Sequence, residues 1–132
     1  KTLADLAGKS IGIQAGSSAA DAVANNTAFA SSVKEVIEVK DNLTALMDLE
    51  IGGVEAVVLD LFVAIDNITR SGKDFRILDE HLAPEEYGVG FRKGDQALRD
   101  EVQKQLNAMA QDGTLAKIST IWFGEDITVV GK

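Results

Sequence analysis

Apolar residues recur along this chain in two rhythms. Over the first eighty positions, short runs rich in β-branched residues alternate with stretches whose apolar positions fall three or four apart. Beyond about position 95 only the second rhythm persists. Ser10 to Gln14 (SIGIQ) reads as a strand, Gly16 permits a sharp turn, and a helix follows. Ser17 or Ser18 is placed to accept from the unpaired N–H groups of that helix's first turn, with Asp21 completing an S-x-x-D box. Val33 to Val39 (VKEVIEV) reads as a second strand. Asp41 or Asn42 then caps a helix carrying Leu43, Leu46, Met47 and Glu50, which Gly52-Gly53 ends. Glu55 to Leu59 (EAVVL) has the near-continuous apolar character of a central parallel strand buried on both faces, and it runs into Asp60. Leu61 to Ile68 reads as a helix, with Gly72 after it and a short strand at Arg76 to Leu78.

This β, α, β, α, β, α, β alternation predicts an α/β fold of three layers, a mostly parallel sheet flanked by helices. His81 to Glu86 is a polar connection containing the only proline, Pro84, and Tyr87 to Phe91 (YGVGF) is a further strand candidate interrupted by two glycines. Leu98, Val102, Leu106 and Met109 then mark one face of a helix ending at Gly113. A second helix carries Leu115, Ile118, Ile121 and Trp122. Two C-terminal helices are thus appended to the α/β unit, and their apolar stripe requires a surface to cover.

Composition narrows the chemistry. The 132 residues, 45% apolar, suffice for one domain with a core. A formal net charge of −8 argues against nucleic acid or anionic lipid as partner. The absence of cysteine excludes disulfides, thiolate catalysis and cysteine-based zinc sites, and His81 has no second histidine with which to share a metal. No apolar run reaches the roughly 20 residues that cross a bilayer, and no Walker loop or full G-x-G-x-x-G is present. Glu85-Glu86 reads as solvated charge, and Trp122 and Phe123 as core or interface residues. What remains is the strand-to-helix turn at Ser17 and Ser18, whose backbone donors and helix dipole favour an anionic group, and Asp60 at the carboxyl end of another strand. An acid beside an anion-binding turn is complementary to a zwitterion.

Three segments, DLAGKSIGIQAGSSA, GGVEAVVLD and EEYGVGFRKGDQALRDEVQKQLNAMAQDGTLAKISTIWFG, carry a family resemblance in their order and spacing. From about Leu3 to Asp126 the chain resembles the later part of the periplasmic amino-acid-binding proteins. These are the family 3 solute-binding components of bacterial ABC importers for polar amino acids. Members of that family fold as two α/β lobes that close on the ligand like a hinged clamp. The resemblance implies that residues 1–91 form the second lobe with its return hinge strand. Residues 92–132 would be the helical segment that packs on a first lobe not contained in this chain.

By the same resemblance, Ser17 and Ser18 hold the ligand α-carboxylate through hydroxyls and backbone N–H groups. Gln14 faces the cleft, and Asp60 pairs with the α-ammonium. Serine stands at 17 where the family commonly has threonine. The implied function is binding without chemistry, with no cofactor, an amino acid as ligand and an ABC permease as partner. The implied location is periplasmic, or extracellular and lipid-anchored, reached through a leader absent from this chain. A sensor module of the same clamp fold and a dehydratase-like enzyme are the alternatives. An isolated lobe would leave the C-terminal stripe uncovered and favour either its folding back onto the lobe or homodimers through those helices.

Overall fold

The computed structural model describes residues 2–132. It contains two compact units, Lys1–Glu85 and Glu86–Lys132. In the first unit the order is a 3-10 turn (Leu3–Leu6), β1 (Ser10–Gln14), α1 (Ser18–Asn25), α2 (Thr27–Ser32), β2 (Glu35–Val39), α3 (Asn42–Glu50), β3 (Ala56–Val58) and α4 (Leu61–Ser71). The strands form one parallel sheet in the order β2-β1-β3. Its registers pair Ser10 with Glu35 and Ile11 with both Val36 and Ala56.

Strand β1 is the centre of this unit because its alternate residues serve two different layers. Ile11 and Ile13 pack into a cluster with Val23 of α1, Phe29 of α2 and Val33. Gly12, between them, looks the other way, where an added Cβ would meet Val54, Ala45 of α3 and Val57 at 3.5–3.6 Å. Helices therefore cover both faces of the sheet, and the expected three-layer α/β fold is present. At the amino end of β1, the buried Ser10 is fully paired. Its N–H donates to Glu55 Oε2 at 2.8 Å and its hydroxyl to Glu35 Oε1 at 2.6 Å. The Ser10 hydroxyl, with Lys34 beside it, holds the Glu35 carboxyl below its ordinary range.

Several expected elements are corrected. Glu55 to Leu59 is not the central strand. Its ladder shortens to Ala56–Val58, lies at the edge of the sheet and is half-buried, while β1 takes the middle. The second strand starts at Glu35, because Val33 ends α2 as a buried C-cap residue. Arg76 to Leu78 and Tyr87 to Phe91 form no strand. A strand exists only through its ladder, and among the described residues neither segment has one; Ile77 is 41% and Val89 62% exposed. The helix after Ser17 is also interrupted, since the Asn26 side chain accepts from Phe29 N–H and starts α2 afresh.

The second unit contains α5 (Gln96–Gln111) and α6 (Thr114–Phe123). The two pack against each other, with Val102, Leu106 and Met109 half-buried. Leu98, Ile121 and Trp122 stay exposed, so Trp122 is not a core residue of this unit. Ser119, 3% exposed, fastens the following segment: its hydroxyl donates to Glu125 O at 2.7 Å and accepts from Ile127 N–H at 3.0 Å.

Candidate functional site at the carboxyl edge of the sheet

All three strands run in the same direction, so their carboxyl ends lie along one edge, and each leads into the amino end of a helix. Every one of those helix ends is capped by a side chain. Ser17 caps α1, Asp41 caps α3 and Asp60 caps α4.

The β1–α1 turn begins with one more ladder bond, Ala15 N–H to Val39 O at 2.9 Å. Gly16 then takes φ of 66°, a left-handed conformation that L side chains disfavour and that reverses the chain toward the helix. Ser17 is extended at φ −94°, ψ 164°, and its carbonyl accepts the first helical bond, from Asp21 N–H at 3.2 Å. The Ser17 Oγ accepts from Ala20 N–H at 3.2 Å and donates to Gln14 O at 2.7 Å. The cap therefore falls on Ser17 rather than Ser18. Ala20, not Asp21, then occupies the third helical position, and the S-x-x-D box does not form. No hydrogen bond within the protein engages the N–H groups of Gly16, Ser17, Ser18 or Ala19 among the described residues. Four donors thus lie in the turn at the positive end of α1. The Ser18 hydroxyl is exposed, and the Gln14 amide is half-buried at the end of β1.

Asp60 follows β3, the neighbour of β1. Its Oδ1 accepts from Phe62 N–H at 2.8 Å and Val63 N–H at 3.0 Å, leaving Oδ2 without a hydrogen-bond partner among the described residues. Helix capping through one oxygen thus leaves the other oxygen of the carboxylate unengaged among the described residues. Asp41 was legible in the sequence as a cap; its place on the same edge follows only from the parallel register of β2. Its Oδ1 accepts from Thr44 N–H at 2.8 Å and Thr44 Oγ1 at 2.9 Å, and these bonds hold its carboxyl below the ordinary range.

The structure therefore brings Gln14, Ser17, Ser18 and Asp60 to one sheet edge and leaves the other titratable candidates out. His81, Glu85 and Glu86 are exposed in the connection that follows. Among the described residues no cluster of three His, Cys, Asp or Glu side chains could hold a metal. Likewise, no helix is long and apolar enough to cross a membrane. Backbone donors and a carboxylate on one sheet edge offer charge complementarity to a zwitterion.

A parallel α/β layer with polar groups gathered where its strands end is the architecture of a periplasmic-binding-protein-like lobe. The sequence profile of the bacterial extracellular solute-binding proteins, family 3, matches residues 5–125, and the chain belongs to that family. It is 30% identical over 128 residues to the L-cystine-binding protein TcyJ of Escherichia coli (strain K12), covering 97% of this chain and 47% of that protein. It is 33% identical over 130 residues to the L-cystine-binding protein TcyA of Bacillus subtilis (strain 168), covering 97% and 46%. Among solved structures, an ancestral arginine-binding protein bound to arginine is similar with a TM-score of 0.70 and 35% identity, covering 94% of this chain and 54% of that one. The chain thus spans about half the length of the relatives it matches.

Proposed function

We propose that this chain is the second, ligand-holding lobe of a receptor that captures a polar amino acid and presents it to an ABC permease, without catalysing a reaction. One observation carries the reading. On the parallel neighbours β1 and β3, the Gly16–Ala19 turn, whose N–H groups make no hydrogen bond among the described residues, and Asp60 both follow the carboxyl ends of their strands, which supports a shared site. An α-carboxylate is stabilised by the donors and the α1 dipole, an α-ammonium by Asp60, and the Gln14 amide faces the ligand side chain. The remaining contacts come from the half of the family fold that this chain does not span. Residues 1–91 act as the lobe with the segment that returns toward the other lobe, and residues 92–132 as the helical segment that meets that lobe. The receptor works outside the cytoplasm, free in the periplasm or anchored by lipid.

Half a site implies weak binding. Calorimetry of this chain with L-arginine, L-cystine and the other common amino acids is expected to show dissociation constants of about 1 mM or weaker. Micromolar affinity in a monomer would overturn the half-site reading. Complete absence of amide shifts near Ser17 and Asp60 at saturating amino acid would overturn the site itself. In isolation, copies of the chain pair through the exposed Leu98, Ile121 and Trp122; light scattering at the mass of one chain at every concentration would refute that pairing.

A further inference from the structure

Two adjacent serines at the β1–α1 turn look interchangeable in sequence and are not in the structure. We infer that the Ser17 hydroxyl is a positioning group that shapes the turn, rather than a contact to the ligand. The carboxylate is then read by main-chain N–H groups together with the Ser18 hydroxyl. This rests on the amino-acid-binding reading above.

A serine hydroxyl has one proton to give. In Ser17 that proton goes to Gln14 O at 2.7 Å, and one lone pair takes Ala20 N–H at 3.2 Å. Only an acceptor lone pair remains, and an ionised carboxylate offers acceptors alone, so a direct bond between them would require breaking the Gln14 link. That link is also what shapes the site. It ties the last residue of β1 to the third residue of α1 across Gly16, whose φ of 66° leaves the turn without side-chain packing of its own. With the link in place, the backbone of Gly16 to Ala19 is held in a fixed arrangement before a ligand arrives. Without it, ligand binding must supply the ordering. Ser18 differs on each point: it is the first residue of α1, it is exposed, and its hydroxyl is engaged by nothing among the described residues.

The test uses the chain as it stands, isotope-labelled for amide NMR and titrated with L-arginine, and with sodium acetate as a minimal carboxylate. In Ser17→Ala, ligand-free exchange of Ala20 N–H is expected to accelerate, amides 16–19 to shift before any ligand is added, and affinity to fall about tenfold, or about 1.4 kcal/mol. Ser17→Thr keeps the hydroxyl and restores both readouts to within about twofold. Ser17→Gly guards against misfolding, since glycine caps a helix nearly as well as serine while removing the link. Ser18→Pro deletes one N–H at a position where proline suits both the helix and the extended Ser17 before it, so it should abolish binding with α1 intact. Ser17→Ala that weakens binding while ligand-free Ala20 exchange stays at the wild-type rate would make Ser17 a direct contact and overturn the inference. Unchanged affinity in Ser17→Ala and Ser17→Gly would overturn it as well. Failure of the wild-type chain to shift with either probe overturns the amino-acid-binding reading instead, a distinct outcome.

Discussion

Ile13 of β1 pairs with Val58 of β3 in parallel register, so the next residues, Gln14 on one strand and Leu59 on the other, run side by side toward the same edge of the sheet. The Ser17 turn and Asp60 stand at one edge for that reason alone. Forty-three positions separate them in sequence, and one ladder joins them.

On the proposed reading Asp60 carries two duties, helix cap and ammonium partner, that substitution separates. Asparagine caps a helix as well as aspartate, so Asp60→Asn should leave stability within about 0.5 kcal/mol of wild type, whereas Asp60→Ala should lose about 1 kcal/mol. Both variants should abolish amino-acid binding, which needs the charge. Urea denaturation and NMR titration read the two effects independently; binding retained in Asp60→Asn would exclude an ammonium contact.

Gly12 faces Ala45 of helix α3, Val54 and Val57. A methyl group there meets its neighbours at ordinary contact distance, so Gly12→Ala is expected to be neutral or slightly stabilising. Gly12→Val has no room for its two further carbons and should cost about 1–3 kcal/mol through overpacking. Equal urea midpoints for the two variants would contradict the packing described.

Ser119 satisfies two backbone groups from a buried position. Replacing it with alanine leaves Glu125 O and Ile127 N–H without their partner, an expected loss of about 1–3 kcal/mol. Hydrogen exchange at Ile127 should accelerate while exchange within α1 is unaffected.

Asp126 supplies a pH-dependent contact in the same segment. Hydrogen bonds from Lys132, at 2.8 Å, and from Thr128 lower its carboxyl to about 2, against an ordinary 3.8. A folded-state value below the unfolded one stabilises fully above the unfolded value, and that contribution disappears as pH falls from about 4 through 2. NMR titration should show the Asp126 midpoint rising toward its ordinary value in Lys132→Met.

Much of this was legible in the sequence because it depended on neighbours along the chain. β1 spans Ser10–Gln14 as its pattern predicts, α4 begins after Asp60, and the polar caps fall where serine and aspartate precede apolar runs. What failed depended on partners remote in sequence. Arg76 to Leu78 and Tyr87 to Phe91 have strand composition, yet composition cannot supply a ladder. The centrality of β1 over β3 likewise belongs to the pairing order rather than to either segment's hydrophobicity. In the candidate site, residue identities were readable, but the split between the Ser17 and Ser18 hydroxyls was not, since it turns on which oxygen faces Gln14 O and Ala20 N–H.

The donors of the β1–α1 turn are main-chain groups, and that bears on how such a receptor diversifies. Point substitution cannot delete a peptide N–H except by proline, and only glycine is comfortable at position 16. On the proposed reading, the Gln14 side chain can change without removing the main-chain donors that meet the end every α-amino acid shares. On that reading, a lineage can exchange one cargo for another while its main-chain hold on the common end of the molecule is inherited unchanged.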